Sequence, residues 1–511
     1  MYPPKPLEVG PFGADDELAK LGAYEQTTYL RRYLEDLDAA TIVVEPYYFD
    51  RDYLAELAAF YSLSARGYPN VCRRLHFFSE RFERGELERA QANDDAAVRR
   101  LRGSYLGFVV VRPIPASPLG RTVLRWYRDR EAATAPRITT PSRDYDCYLG
   151  GLKLTVQGLA WQQQDSAVGT CATVALWSML HSSALAGYHA LPTTAQVTQA
   201  AHRTAGGGRR VFPNAGLDVE QLCEAIKEFG LSPVVVPGDI ARDGGHAFSR
   251  ERFAASCTAM LRSGFPVLLL GELDGAAHAT CAVGFRSTTP PVAPQGKVVH
   301  HDADVPFIYI HDDNLGPSVR FAVASNAAGI ASLSPAAPPR IAATQTPDPT
   351  LAYPAFVPSH LVVAVPQELR TSPDALHVAG LDIASKVSTV FQAFQGSLPG
   401  LSMTTRFAPL RDYVGRELDQ VRSAAPAVLG RARLALLEQV PPMSRHLGIV
   451  RIGGGARLLF DALFDTTDSD AHLPIFAYVV FRAEALPFVE ALITHGELPR
   501  AYCVDATLAR A

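Results

Sequence analysis

The chain has 511 residues, of which 48% are hydrophobic and 20% are charged, and its formal net charge is −4. This length is too great for one hydrophobic core and predicts about three domains, and the composition excludes a disordered chain. The small net charge excludes the concentrated basic surface that non-specific nucleic-acid binding needs, so we expect no nucleic-acid partner.

Seven cysteines are spread along the chain without a CxxC pair. Their odd number and wide spacing favour reduced thiols over a disulfide framework and exclude a structural zinc site built on such pairs. The first residues lack the basic start and apolar stretch of a signal peptide. The longest apolar runs, such as 265–271, are too short to span a bilayer. We therefore expect a cytoplasmic protein that makes no membrane contact.

Residues 1–145 are predicted to form a mixed α/β region of unknown function. Helical patterns occur at 15–37, 51–67 and 79–103, and strand-like runs at 41–49 and 105–115. Charged clusters on these segments are typical of solvated helix faces, and the region contains no catalytic motif.

Residues 150–365 are predicted to form a second domain, and its first distinctive motif is QQQDSAVGTCATVALWSML at 162–180. Cys171 stands where an apolar helical pattern begins. The unpaired N–H groups and positive dipole end of a helix start favour the thiolate form of a cysteine. Upstream glutamine side chains are candidates to join the Cys171 backbone N–H as donors to an oxyanion. The alternative is that Cys171 is a small buried residue, as free cysteines commonly are.

Helical patterns precede most of the strand-like runs in the rest of this domain. The helical patterns cover 194–230 and 249–264, and the strand-like runs cover 231–237, 265–273, 307–312, 318–324 and 360–366. Helices followed by an antiparallel sheet are typical of an α+β domain.

A histidine and a polar cluster lie on two of the predicted strands. His278 follows small residues at the start of an apolar run, and the next strand-like run, 307–310, leads into Asp312, Asp313 and Asn314. A carboxylate or amide at a strand end can accept the imidazole N–H and orient the ring. Asp312 is favoured as the orienting residue because it is the first acceptor after the strand; Asp313 and Asn314 are alternatives. A thiol on a helix start, a histidine and an acceptor form the set needed for a thiolate–imidazolium pair.

Four further polar residues, His300, His301, Asp302 and Asp304, lie in the segment between these two strands. They are a candidate metal site, but nearby prolines favour an exposed polar loop. We expect no metal and no organic cofactor.

Residues 366–511 are predicted to form a third region, of α/β type and unknown function. Helical patterns cover 376–394 and 410–440, and strand-like pieces cover 448–465 and 474–482. Both flanking regions are candidates for contact with a protein partner.

The constellation in the second domain resembles the papain-like cysteine peptidases, and it is most similar to the branch of the bacteriocin-processing, double-glycine leader peptidases. The matching positions are Cys171-Ala172, His278-Ala279 with Val283-Gly284, and Asp312 with Gly316. The resemblance covers about residues 150–365. It implies an α+β papain-like domain in which the helix bearing the cysteine packs on an antiparallel sheet bearing the histidine and the aspartate.

The resemblance also implies an activity. Cys171, His278 and Asp312 are expected to form a triad that hydrolyses peptide or isopeptide bonds of a peptide or protein substrate through a thioester. A non-catalytic peptide-binding module and a cysteine-dependent acyltransferase of the same fold are the alternatives.

The chain departs from the family at the oxyanion glutamine. In the family this glutamine stands six residues before the cysteine, where this chain has Asp165. A one-residue insertion in the following loop would restore a glutamine to the site. We therefore expect Gln164 to complete the oxyanion hole, with Gln163 as the alternative.

Overall fold

The computed structural model describes residues 5–507 except for a set of short gaps. The gaps are 23, 66, 134, 188, 204–209, 241–243, 288–292, 337–352, 396–399, 419–425, 439–444, 455–456 and 468–473. Helices and strands both contribute large shares of the chain, and the predicted α+β class is confirmed.

The N-terminal part of the chain is built on a five-stranded antiparallel sheet with strands in chain order. Its elements are β1 (Glu8–Pro11), α1 (Glu25–Asp36), β2 (Thr41–Tyr48), α2 (Arg51–Ala59), β3 (Cys72–Phe78), α3 (Arg84–Gln91), α4 (Asp95–Ser104), β4 (Tyr105–Val111) and β5 (Leu119–Leu124). The pattern predicted over 15–37 forms an α-helix only from Glu25, because Gly22 takes a φ of +102° and interrupts it.

The middle of the chain contains a closed six-stranded barrel. Its strands run in the order β12-β13-β15-β16-β17-β18, and pairing of β12 with β18 closes it. The elements here are β6 (Arg137–Thr139), β7 (Arg143–Leu149), β8 (Leu152–Gly158), α5 (Cys171–Leu180), α6 (Thr194–Ala201), α7 (Val219–Glu228), β9 (Ser232–Pro237), β10 (Asp239–Ile240), β11 (His246–Ala247), α8 (Arg250–Arg262), β12 (Val267–Leu273), β13 (Ala276–Arg286), β14 (Val298–His300), β15 (Phe307–Asp312), β16 (Gly316–Ser325), β17 (Ala331–Pro335) and β18 (Phe356–Val365).

Helix α5 packs on this barrel, mainly against β13 and also against β12 and β15. Its residues are apolar on all sides, as expected of a helix enclosed by other elements. Every residue from Ala172 to Leu180 is buried, whereas Cys171 at the first position is partly exposed.

The C-terminal part forms a second sheet of six strands, in the order β14-β19-β20-β21-β22-β23. Its elements are α9 (Pro373–Gln395), β19 (Leu401–Pro409), α10 (Pro426–Glu438), β20 (His446–Gly454), β21 (Arg457–Asp465), β22 (Ile475–Val480), α11 (Leu486–Thr494) and β23 (Tyr502–Asp505). Within the helical pattern predicted over 410–440, the described residues form a short turn at Leu410–Asp412, a π-helical turn at Tyr413–Glu417 and α10.

The three parts share hydrogen bonds and one apolar core. Strand β6 belongs to the predicted first region, 1–145, but pairs with β13 of the barrel. Strand β14 belongs to the predicted second region, 150–365, but pairs with β19 of the C-terminal sheet. Residues from all three parts, such as Leu75, Leu176 and Val450, belong to one buried cluster. In the part of the chain that the structure describes, no helix has both the length and the apolar character needed to cross a membrane.

Gly271 provides a test of the barrel closure. A Cβ there would lie 2.1 Å from the Val357 carbonyl oxygen on β18, at the point where the β12–β18 register shifts. Neither backbone can move away without breaking the ladder, so Gly271→Ala is expected to lower the free energy of unfolding by about 2 kcal/mol or more. Urea unfolding measures this value.

Gly103→Ala is the matched control. Gly103 lies in α4, and a Cβ added at this position would have no heavy atom of another residue within 4 Å. Alanine there improves helix propensity, so the control is expected to leave the stability unchanged or raise it by up to about 1 kcal/mol. Equal urea midpoints for the two variants would contradict the close approach of β12 and β18.

Candidate active site

The segment before Cys171 is held in one shape by Asp165. One carboxylate oxygen, Oδ1, accepts the backbone N–H groups of Ala167, Val168 and Gly169 at 2.7, 2.6 and 3.2 Å. The Asp165 backbone N–H donates to the Gly169 carbonyl oxygen at 2.8 Å. These bonds close the loop that delivers the chain to the first turn of α5, which is a structural role for the residue at the family's glutamine position.

A buried ion-pair network ties this loop to the N-terminal sheet. Arg112 Nη1 donates to Glu56 Oε2 at 2.9 Å and lies 3.6 Å from Asp165 Oδ2. The other terminal nitrogen, Nη2, donates to the Gln163 carbonyl oxygen at 3.1 Å. Gln162 Nε2 donates to the other Glu56 oxygen at 2.7 Å. Removing one partner of such a network would leave an uncompensated buried charge, which makes the loop position costly to change.

The register of the barrel brings His278 and Asp312 together. Cys281 on β13 pairs with His311 on β15, and continuing that register sets Asp312 opposite Thr280. Alternate residues on a strand share a face, so His278 is a diagonal neighbour of Asp312 on the same face. His278 Nε2 accordingly lies 3.2 Å from Asp312 Oδ2.

Further donors fix the Asp312 carboxylate. Oδ1 accepts the backbone N–H groups of Asn314 and Leu315 at 2.9 and 3.1 Å, and the Tyr353 hydroxyl lies 3.2 Å from both oxygens. The indole N–H of Trp161 donates to the Asp312 carbonyl oxygen at 2.9 Å. Neither Trp161 nor Tyr353 was a candidate in the sequence, because no motif there indicates that they face Asp312.

The electrostatics of the site favour a charged imidazole. Burial of His278 disfavours the charged ring, but hydrogen bonds with Asp312 and Cys171 and the charges of Asp312 and Asp313 outweigh it and raise the pKa of His278 to about 11. Since Nε2 faces the carboxylates, Nδ1 is the ring nitrogen left for the thiol. His278 thus contacts Asp312, and an interaction with the Cys171 side chain contributes to the raised pKa of His278.

Asp313 is a second carboxylate beside the same ring. Its Oδ1 lies 3.6 Å from His278 Nε2, and within the described residues neither of its oxygens has a hydrogen-bond partner. Burial raises the pKa of Asp313, the charge of His278 opposes that shift, and the charge of Asp312 adds to it. The alternative acceptor Asn314 faces elsewhere, since its side-chain oxygen accepts from Gln164.

The two candidate glutamines point in different directions. Gln164 Nε2 donates to Asn314 Oδ1 at 2.8 Å, which places this side chain beside the turn that carries Asp312. Gln163 is buried, and its Oε1 accepts the Leu119 backbone N–H at 3.2 Å on β5. Gln164 therefore remains the preferred donor for the oxyanion, and this assignment stays a prediction.

The segment around His300 differs from the predicted exposed loop. His300 and Asp302 are buried, at 2% and 1% exposure, because the segment includes β14 and packs beside β19. Arg262 binds both oxygens of Asp302 at 2.7 and 2.8 Å, and Arg250 binds Asp304 at 2.7 Å. These carboxylates are engaged by arginine, which argues against the alternative of a metal site in this segment.

Thiol reactivity tests the Cys171–His278 contact. Four of the other six cysteines are buried, and the remaining two, Cys223 and Cys503, are partly exposed. Burial raises the pKa of the Cys223 thiol, and it raises the pKa of the Cys503 thiol to about 12. The His278 ring loses its charge only as pH rises towards about 11, and a charged imidazole beside a thiol raises the reactivity of that thiol. Iodoacetamide at pH 6 to 8 is expected to label Cys171 well ahead of the other six, as read by peptide mass spectrometry.

His278→Ala is expected to abolish that preference, and Cys223→Ala is the matched control that should retain it. Equal labelling of Cys171, Cys223 and Cys503 in the unmodified chain would rule out the ion pair.

A scan against protein-family models found no matching family, and searches of the curated proteins and of the solved structures found no match. The case for a function therefore depends on the geometry of Cys171, His278 and Asp312 and on the chemistry that this geometry permits.

Proposed function

We propose that the protein is a cysteine-dependent hydrolase of peptide or isopeptide bonds, with a papain-like catalytic domain similar to that of the double-glycine leader peptidases. The observation that carries the proposal is the contact of 3.2 Å between His278 and Asp312, together with the interaction of the His278 ring with the Cys171 side chain. A cysteine next to a protonated histidine, with a third group orienting the ring, is the arrangement that activates a thiol nucleophile.

The surrounding fold is consistent with this proposal. Cys171 is the first residue of a buried helix, and the other two side chains come from adjacent strands of the closed barrel against which the helix packs. Cys171 is partly exposed while the rest of α5 is buried, which suits a nucleophile held on a fixed support.

The reaction follows from the roles of these groups. In the resting ion pair the Cys171 proton already lies on His278 Nδ1, and the thiolate attacks the carbonyl carbon of a substrate amide to form a tetrahedral oxyanion. His278 then returns that proton to the leaving amine as the C–N bond breaks, which leaves a thioester on Cys171. A water molecule, deprotonated by His278, hydrolyses the thioester and regenerates the thiol.

Two donors are available for the oxyanion. The Cys171 backbone N–H belongs to the first turn of α5, where helical N–H groups have no partner within the helix. The Gln164 side-chain amide is the second. Removal of one such donor typically lowers the rate by about a hundredfold or more.

Covalent trapping tests the proposed function. Full-length protein is incubated with a panel of peptide aldehydes and vinyl sulfones, and the intact mass of the protein is measured. A single adduct is expected on the unmodified chain and none on Cys171→Ala, because only the thiol attacks these groups. Absence of an adduct across the panel, with Cys171 accessible to iodoacetamide, would favour a non-catalytic peptide-binding module.

The oxyanion assignment is tested with a fluorogenic peptide based on the best trapping sequence. Gln164→Ala is expected to lower kcat/KM about a hundredfold because one oxyanion donor is lost. Gln163→Ala is the matched control and should change kcat/KM little, since that amide faces β5. A larger loss for Gln163→Ala at equal thermal stability would reverse the assignment.

A further inference from the structure

The carboxylate pair beside His278 has the composition of a metal site. Within the described residues, His278, Asp312 and Asp313 are the one group of three His, Cys, Asp or Glu side chains whose ligand atoms all lie within 4.8 Å of one another. All three residues are buried. We infer that these three side chains bind a divalent d-block cation such as Zn²⁺, and that the bound cation blocks the cysteine chemistry of the same site. The blocking step depends on the proposed function; the binding step does not.

The distances between the ligand atoms suit zinc. Zinc bonds of about 2.0–2.1 Å in tetrahedral geometry separate neighbouring ligand atoms by roughly 3.3 Å. His278 Nε2 lies 3.2 Å from Asp312 Oδ2 and 3.6 Å from Asp313 Oδ1. Both distances from Nε2 are thus within a few tenths of an ångström of the separation that zinc requires, and all three ligand atoms lie within 4.8 Å of one another.

The charges also favour a divalent cation. Two carboxylates face one imidazolium, and in the described residues neither Asp313 oxygen has a hydrogen bond that would compensate its burial. Replacing the Nε2 proton by Zn²⁺ gives a neutral imidazole, two carboxylates and two positive charges, which balance. The buried Asp313 carboxylate, whose oxygens have no partner in good hydrogen-bond geometry among the described residues, gains a strong partner in this state.

Groups outside the three ligands hold them in place. Asp312 Oδ1 accepts two backbone N–H groups while Oδ2 faces His278, and the Tyr353 hydroxyl contacts both oxygens. Gln26 Nε2 on α1 donates to the Asp313 carbonyl oxygen at 3.2 Å. Such outer hydrogen bonds orient ligating side chains and commonly change metal affinity by about 10–100-fold when removed.

Zinc bound at Nε2 would stop His278 from transferring protons. Zn²⁺ displaces the proton from Nε2 of the imidazolium and takes the lone pair left there, so the remaining ring proton stays on Nδ1. Nδ1 keeps its hydrogen, and giving that hydrogen to the leaving amine would require a zinc-bound imidazolate, so His278 no longer passes protons during turnover. This mode leaves the thiol unligated, unlike zinc bound between the cysteine sulfur and Nδ1.

The test uses full-length protein and Zn²⁺ in equilibrium dialysis, with Cys171→Ala as the key variant. One zinc per chain is expected, with equal affinity in the unmodified chain and in Cys171→Ala. Asp313→Asn is expected to weaken binding at least tenfold, as removal of an outer hydrogen bond alone often does. Asp146→Asn, an exposed carboxylate on β7, is the matched control and should bind as the unmodified chain does.

Co²⁺ provides the spectroscopic readout. The Co²⁺ protein is expected to show visible d–d bands without the near-ultraviolet charge-transfer band of a cobalt–thiolate bond. That thiolate band, loss of zinc binding in Cys171→Ala, or full affinity in Asp313→Asn would each overturn the site. Should Asp313→Asn fail to fold, Tyr353→Phe replaces it, with an expected loss of about tenfold in affinity.

The two proposals fail independently. Trapping of metal-free protein by peptide aldehydes reports on the hydrolase alone, and zinc binding by Cys171→Ala reports on the metal site alone. Zinc is expected to lower kcat for the fluorogenic peptide in the unmodified chain but not in Asp313→Asn, each relative to its own metal-free rate; equal suppression of both would show that zinc acts elsewhere.

Discussion

The contact between His278 and Asp312 depends on the register of β13 against β15, and the rest of the site depends on that contact. Closing six strands into a barrel removes the freedom of a strand to slide, because each strand has a neighbour on both sides. A slip of one residue would turn His278 to the opposite face of the sheet. The barrel therefore determines the distance between base and carboxylate, and helix α5 packs on it with the thiol at its open end.

The N-terminal part of the chain supports the site through contacts with the loop before Cys171 and with the Asp313 backbone. Arg112 and Glu56 hold the loop that precedes Cys171, and Gln26 holds the backbone of Asp313. Both sets of contacts are buried or half-buried, so they resist competition from water. A region without a catalytic motif of its own thus controls where the thiol and the carboxylates lie, which explains why its charged residues are not all solvated helix faces.

Several features could be predicted from local sequence. The apolar run after Cys171 indicated a helix, and the runs at 265–273 and 307–312 indicated strands, because periodicity and turn residues act over short distances. Glu25 as the helix start was missed, since Gly22 was counted inside a helical pattern. The burial of His300 and Asp302 was missed because the pairing of β14 with β19 joins segments about a hundred residues apart.

The sequence by itself determined the kinds of chemistry that were available: a thiol at a helix start, a histidine on one strand, and carboxylates at the end of another. Only the tertiary structure decided which of these groups meet. Asp165 closes a loop while Gln164 turns towards Asn314, and Asp313 shares the ring nitrogen with Asp312. These choices depend on strand register and on buried partners from distant segments, and such long-range constraints leave no periodic signal in the residues that they position.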